Sequence, residues 1–255
     1  MTIDFAKYSS IGIGPICDVL EIDAIGDYSD YYIIGRANNL LIGNCDTKLA
    51  VLGKAFDYIQ LGDDGLIYVG CATKSSKLFN YTKKHNLANL EFLSHLPGTI
   101  GGLIKMNAGL KEWEIFNHIV KIKTKDGYIS KDDIKYGYRT TNIKDIVYEA
   151  VFSLNSGFDR QKVEIFTKMR SNQPKEKSAG SCFKNPVGDY AGRLIESVGL
   201  KGYKIGDMGF SQIHANFLVN YGNGTYEDAL SLIELAQSKI LKQYGIKLEP
   251  EVIIL

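Results

Sequence analysis

Lys177-Ser178-Ala179-Gly180-Ser181-Cys182-Phe183-Lys184-Asn185-Pro186 sets one hydroxyl (Ser181), one ammonium (Lys184) and one amide (Asn185) between small residues and a proline. Small residues let a backbone approach a ligand closely, and Pro186 keeps a helix from running through the segment. An extended chain repeats every two residues, so Ser181, Phe183 and Asn185 are expected on one face, with Lys184 opposed or at the margin. The same composition also fits a polar turn that happens to contain a serine. Whether it is a site or a turn decides how the rest of the chain is read.

On the N-terminal side, the spacing of Val163, Phe166 and Met169 predicts a helix over Lys162–Ser171, ended by Pro174. A composition shift at Asn155-Ser156-Gly157 marks a domain boundary before it. On the C-terminal side, Asp189 is expected to cap a helix carrying Ala191, Leu194, Ile195 and Val198, closed by Gly199. His214–Asn220 reads as a strand. Thr225 with Asp228 resembles a capping box, with Asp in place of Glu or Gln, and opens a helix with Leu230, Ile233, Ile240 and Tyr244 on its apolar side. The apolar tail Val252-Ile253-Ile254-Leu255 is expected to pair into a sheet, which sets Glu251 at an element end. A solvated glutamate explains Glu251 equally well.

Farther upstream, Arg139 follows Tyr138. A guanidinium beside tyrosines is often a surface cation on a ring, and its planar fork also grips carboxylates. Leu93–Gly102 and Met106–Gly109 crowd Gly98, Gly101, Gly102 and Gly109 beside Pro97 and Thr99. That density is poor helix or strand material, and close passage along a pyrophosphate, with glycine N–H groups and the Thr99 hydroxyl donating, supplies a reason for it. A surface loop is the alternative. Ser75 is expected to cap a helix with Leu78, Phe79 and Thr82, while Tyr31–Ile34, Ala50–Leu52, Tyr58–Leu61, Leu66–Val69 and Ile119–Thr124 read as strands. The strand Tyr31–Ile34 delivers Gly35-Arg36-Ala37-Asn38-Asn39-Leu40 into a turn whose N–H groups suit an anion. Taken alone, a plain strand-to-turn connection explains that turn better. The order of elements is mixed α+β, not a regular βαβ alternation.

The totals narrow the classes. The chain has 255 residues, 45% hydrophobic and 23% charged, as an ordinary globular protein does. Lys plus Arg number 30 against 29 acids, so the net charge of +1 gives no electrostatic case for nucleic acid or an anionic membrane. No stretch reaches the about 18 uninterrupted apolar residues of a membrane span, and Met1-Thr2-Ile3-Asp4-Phe5 lacks the basic and apolar regions expected of a signal peptide. Four cysteines without CxxC spacing and four scattered histidines make reduced thiols and no metal site the expectation.

Taken together, Leu93–Gly102 with Met106–Gly109, Tyr138-Arg139, Gly180–Pro186 with Ala191–Gly202, His214–Asn220 and Leu248–Val252 closely resemble the UDP-N-acetylenolpyruvoylglucosamine reductase (MurB) family. The likeness runs through essentially the whole chain with the motifs in order. It implies an α+β protein: an FAD-binding fold of the vanillyl-alcohol-oxidase type over residues 1–157 (subdomains about 1–62 and 63–157), then a smaller α+β substrate-binding domain over 158–248. Residues 249–255 would form a terminal strand bringing in Glu251. FAD would be lined by Gly35, Arg36, Ala37, Asn38, Asn39 and Leu40, and by Pro97, Gly98, Thr99, Gly101, Gly102, Asn107, Ala108 and Gly109. Ser181 matches the serine that protonates C2 of the substrate. Arg139 and Glu251 match the pair that stabilises the enol-like intermediate, and burial would help Glu251 by keeping it protonated. Tyr138, Lys184 and Asn185 are candidates for substrate contact. The family reaction is an NADPH-dependent, FAD-mediated reduction to UDP-N-acetylmuramate, which implies a cytoplasmic enzyme of peptidoglycan synthesis acting as a monomer on small molecules.

The departures are specific. Gly-Arg-Ala-Asn-Asn stands where the family has Gly-Gly-Gly-Ser-Asn, so Arg36 and Asn38 are expected to make different phosphate contacts. His95 replaces a common glycine, and Cys182 places a thiol next to the serine. No long insertion separates Arg139 from Ser181, as in the compact second type of the family, which lacks a tyrosine-bearing lid. A flavin oxidase of the same superfamily would not need Arg139, Ser181 and Glu251 together. A non-catalytic nucleotide-sugar binding module would need no flavin.

Overall fold

The computed structural model describes residues 1–255. The chain forms two compact units. One, the serine unit, comprises Met1–Asp18, Arg36–Thr47 and Asn172–Leu255; the other, the arginine unit, comprises Val19–Gly35 and Lys48–Ser171.

In the arginine unit five strands make one antiparallel sheet in the order Gly127–Ser130, Ile119–Thr124, Glu149–Phe152, Ile67–Gly70, Ile59–Leu61. Its hairpins turn where glycine tolerates positive φ, at Gly65 (+77°) and Gly127 (+111°). The register sets Ala150 opposite both Ile122 and Val69, so these three point to one side, and all are buried. Leu78, Leu103, Ile104 and Phe166, from the helices Ser75–Lys84, Ile100–Lys105 and Arg160–Met169, join them in one core. A second, smaller sheet pairs Val19–Ile22 and Tyr32–Ile33 in parallel with Leu49–Leu52.

In the serine unit the sheet order is Lys177–Ser181, Phe217–Asn220, Met208–Phe210, Lys204–Ile205, all antiparallel. Its core joins Phe183, Phe210 and Leu218 to Leu194 and Ile195 of the helix Ala191–Ser197 and to Leu232, Ile233, Ala236 and Ile240 of the helix Tyr226–Tyr244. The capping box expected from Thr225 and Asp228 is present. The Thr225 hydroxyl accepts from the Asp228 N–H at 3.1 Å, and the Asp228 carboxylate accepts from the Thr225 N–H at 3.4 Å. Gly245, at φ +69°, ends the helix. The apolar tail pairs as expected, with Ile253–Ile254 parallel to Leu40–Leu41.

Five local expectations change. Ser75 is not a cap: Lys74 holds that position, and the Ser75 hydroxyl donates to Leu96 O at 2.5 Å. The helix Arg160–Met169 starts ahead of the expected Lys162 because the Asp159 carboxylate accepts from the N–H groups of Gln161 and Lys162. The glycine-rich stretch contains a helix, Ile100–Lys105, with Thr99 as its cap. Asp189 does not cap Ala191–Ser197 but pairs with Arg193, while the Asn185 side-chain oxygen accepts from the Ala191 N–H at 3.0 Å. Two of the four thiols are not reduced. Cys17 and Cys45, 28 residues apart in sequence, form a disulfide with Cα atoms 5.5 Å apart. No short-range spacing could signal that pair, because the fold alone brings the two segments together. No helix of the chain is long and apolar enough to cross a membrane.

Candidate active site

Ser181 ends the strand Lys177–Ser181 just after an irregularity in register and a Gly180 at φ +85°, where a side chain would be strained. The strict alternation expected after it does not continue. Cys182 and Phe183 are both buried, Ser181 is half-buried and Asn185 is exposed. Asn216 causes this. Its backbone oxygen accepts from the Cys182 N–H at 2.7 Å, its side-chain oxygen accepts from the Phe183 N–H at 3.0 Å, and its amide donates to Phe183 O at 2.8 Å. A buried side-chain amide satisfied on both ends fixes a chain that has left its ladder.

The C-terminal segment docks on that fixed chain. Cys182 O accepts from the N–H groups of Glu251 (2.8 Å) and Val252 (3.3 Å), and Lys184 N–H donates to Glu249 O at 2.9 Å. On its other side the segment meets the Arg36–Leu40 turn. The Asn39 amide donates to Glu251 O at 2.9 Å, and Asn39 O accepts from Ile253 N–H at 3.0 Å. Ser181, Glu251 and the first glycine-family turn are therefore joined by a continuous set of backbone bonds within one unit. Lys184 is placed beside them with its ammonium 2.5 Å from the Glu249 carboxylate. Asn185 has the helix-capping task described above.

The turn itself fits a bound anion. Ala37 has φ +49° and is almost fully buried, while Arg36 is exposed and Asn38 and Asn39 are half-buried. Successive backbone N–H groups in such a turn are the kind of donors that a phosphate oxygen accepts from. Ser10 braces the turn, its N–H donating to Ala37 O at 3.4 Å and its hydroxyl to Asn38 O at 3.2 Å. The Arg36 guanidinium lies 5.0 Å from the centre of the Tyr8 ring. Burial pushes the Tyr8 phenol above its ordinary range, and Arg36 pulls it the other way. Tyr8 and Ser10 escaped the sequence reading because nothing local to them signals a ligand.

The remaining expected residues lie in the arginine unit. Gly35, at φ +51°, is close enough to Thr99 that a Cβ there would sit 3.0 Å from the Thr99 hydroxyl. The glycine amides expected to face a pyrophosphate are bonded internally: Gly101 N–H to Cys71 O at 3.0 Å and Gly102 N–H to the Thr99 hydroxyl at 3.4 Å. A Cβ on Gly101 would lie 3.2 Å from Cys71 Cβ and O, so its missing side chain admits Cys71, whereas one on Gly102 would meet only the Thr99 hydroxyl, at 3.6 Å. Tyr138 and Arg139 form the tip of a hairpin between Tyr136–Gly137 and Thr140–Thr141. Arg139 has φ +56°, a conformation costing a non-glycine residue about 1–3 kcal/mol. Its guanidinium donates to Gly109 O at 3.0 Å and to Asn107 O at 3.5 Å and lies 5.1 Å from the Tyr138 ring centre. Asn107, expected at the cofactor, is fully buried and its side chain bonds within the protein.

Cys182 is not a reactive thiol by environment. Burial, reinforced by the Glu251 charge, pushes it far above its ordinary range, and burial does the same to Cys71. His95, next to Leu96-Pro97, sits with its Nδ1 2.7 Å from the Ser94 hydroxyl, and burial lowers its pKa.

The profile of the UDP-N-acetylenolpyruvoylglucosamine reductase C-terminal domain matches residues 173–255. The reductase of that name from Campylobacter jejuni (strain RM1221) is 48% identical over 259 residues, covering 100% of both chains. That from Helicobacter pylori (strain ATCC 700392 / 26695) is 46% identical over 256 residues, covering 100% of this chain and 98% of its own. The crystal structure of MurB from Thermus caldophilus superposes with a TM-score of 0.87 at 26% identity, covering 100% of this chain and 98% of that one. These matches define the class, an α+β oxidoreductase with an FAD-binding domain of the vanillyl-alcohol-oxidase type and a smaller substrate-binding domain. The chain belongs to the UDP-N-acetylenolpyruvoylglucosamine reductase (MurB) family.

Proposed function

We propose that the protein reduces UDP-N-acetylglucosamine enolpyruvate to UDP-N-acetylmuramate, a step of peptidoglycan precursor synthesis, with FAD as bound cofactor and NADPH as hydride donor. The observation that carries this reading is the docking of the Glu251 segment between Cys182 O and Asn39, which gathers a serine, a glutamate and an anion-binding turn. The family resemblance supports the assignment of FAD binding to 1–157 and substrate binding to 158–248.

The Arg36–Asn39 turn would hold a phosphate of FAD through its backbone N–H groups, with Arg36 adding a positive charge that the family's usual glycine lacks. When bound, FAD reduced by NADPH supplies the hydride that adds to C3 of the enolpyruvyl group. The negative charge that develops on C2 and the carboxylate is the task of Arg139, a group already fixed by two carbonyl oxygens and needing no reorganisation. Ser181 gives its proton to C2. A serine is a weak acid and does this only when held within hydrogen-bond reach, and the chain clamped by Asn216 two residues on supports a fixed position for it. Glu251 works with Arg139 on the enol-like species. Tyr138, Lys184 and Asn185 would contact the substrate, Lys184 by exchanging its bond to Glu249 for one to the ligand. With no insertion between Arg139 and Ser181, the pocket works without a tyrosine-bearing lid. The enzyme acts as a cytoplasmic monomer on small molecules.

The test is anaerobic. NADPH-reduced protein is mixed with the enolpyruvyl nucleotide sugar while flavin absorbance is followed. Rapid reoxidation by the sugar, reduced at least about 100-fold in Ser181→Ala at full flavin content, is the expected outcome. Reoxidation only on admission of air would assign an oxidase instead, and purification without flavin a binding module.

A further inference from the structure

Asn107 joins three segments of the arginine unit. It follows the helix Ile100–Lys105 at φ +46° and is fully buried. Its amide donates to the Glu114 carboxylate at 2.7 Å and to Gly137 O, in the arginine hairpin, at 3.1 Å. Its side-chain oxygen accepts from the Phe116 N–H at 3.4 Å, and its backbone oxygen accepts from Arg139 at 3.5 Å. Glu114 stands opposite Gly109 in the adjacent ladder, and Gly109 O is the other acceptor of the Arg139 guanidinium, at 3.0 Å. That ladder is tight, since a Cβ on Gly109 would lie 2.2 Å from Trp113 O. Asn107 thus holds the backbone that precedes Arg139 with its side chain, and the end of Arg139 with its own carbonyl. Glu114, the charged acceptor on one N–H, and the Phe116 N–H on the oxygen together fix the orientation of that amide and direct its other N–H at Gly137 O.

We infer that Asn107 and Glu114 are positioning residues for Arg139: together they set the left-handed turn and the guanidinium of the arginine that meets the developing charge. The inference rests on the proposed role of Arg139. It gives Asn107, expected at the cofactor, a task directed at substrate instead. It also gives a reason for the positive φ at Arg139, which the surrounding structure must over-determine to persist. A misplacement of about 1 Å at such a group costs on the order of 100-fold in rate.

The experiment is a double-mutant cycle on FAD-loaded protein, comparing variants at equal flavin content. It measures kcat and KM for sugar-dependent flavin reoxidation, and Tm, in Glu114→Ala, Arg139→Ala and the double variant. Arg139→Ala is expected to lower kcat by about 100- to 1,000-fold. Glu114→Ala is expected to lower it by about 10- to 100-fold in the native background and by less than about twofold in the Arg139→Ala background. The drop in Tm from Glu114→Ala is expected to be the same in both, which separates positioning from general loosening. Glu114→Gln, whose amide oxygen still accepts from Asn107, is expected to regain about tenfold over Glu114→Ala, and Glu114→Leu, which also lacks the acceptor, serves in the cycle if the alanine variant does not fold. Equal kcat losses from Glu114→Ala in both backgrounds would overturn the inference while leaving Arg139's role intact. No loss from Arg139→Ala would overturn that parent role, and the positioning role with it.

Discussion

Cys182 lies next to the proposed proton donor, and its surroundings set how it behaves. Burial removes the water that would solvate a thiolate, and the Glu251 charge disfavours a second negative charge. Native protein at pH 8 is therefore expected to leave Cys182 and Cys71 unmodified by a small alkylating reagent over hours, with both labelled rapidly in denaturant. Prompt labelling of native Cys182 would show an open thiol at the site. The same displacement sets a pH dependence. The folded-state pKa of each thiol is raised above its ordinary value of 9.0, so their contribution is complete below pH 9 and is lost as pH rises above it, where the unfolded chain releases protons that the folded chain retains. The phenols of Tyr58 and Tyr128 act in the same direction above their ordinary value of 10.0. Burial comes first, followed by their hydrogen bonds to Glu149 at 2.5 and 2.6 Å. Urea midpoints measured between pH 8 and pH 10.5 should fall with pH, and a flat profile would remove this account.

Among the elements, the terminal strand has the largest functional consequence for its size. Ile253–Ile254 is short, yet the segment carrying it bonds to Cys182 O on one side and Asn39 on the other. Ile253→Pro would delete the N–H that Asn39 O accepts and disfavour an extended partner for Leu40–Leu41. Both flavin content and kcat are expected to drop, kcat by at least about tenfold, while the helix Tyr226–Tyr244 and its capping box keep the unit folded. The ratio of flavin to protein absorbance and the reoxidation rate check this. An unchanged ratio would detach the strand from the cofactor turn. Asn185 gives a contrasting case. Sequence spacing set it on the face of Ser181 and the family resemblance made it a candidate for substrate contact, and in the fold its oxygen caps the helix Ala191–Ser197. An amide four residues beyond a serine has no local mark that separates these two tasks.

For the molecule as a whole, the disulfide is the feature with the widest reach. Cys17 belongs to the first stretch of the serine unit and Cys45 to the second, so the bond closes a loop of 28 residues that leaves this unit and returns to it. Closing a loop of that length in the unfolded chain is worth about 3–4 kcal/mol. Thiol reductant, or Cys17→Ser, should lower the urea midpoint accordingly. Thiol titration of unfolded protein should find two reactive groups before reduction and four after it. Four before reduction would show the bond unformed.

By itself the sequence determined what neighbouring residues determine. Period-two alternation marked the strand Ile119–Thr124, an apolar run marked Phe217–Asn220 within the expected His214–Asn220, Thr225 with Asp228 marked the start of the longest helix, and the order of motifs carried the family. These are legible because backbone propensity, capping and side-chain alternation act over a few residues. Only the tertiary structure decided which polar groups are spent internally and which remain for a ligand. It sealed Asn107 between Glu114 and Gly137, turned Asn185 to a helix end and bonded the amides of Gly101 and Gly102 internally. It also joined Cys17 to Cys45. Each of those outcomes depends on a partner supplied by another stretch of chain, and burial forces the choice, because a polar group removed from water must bond to whatever the fold places beside it.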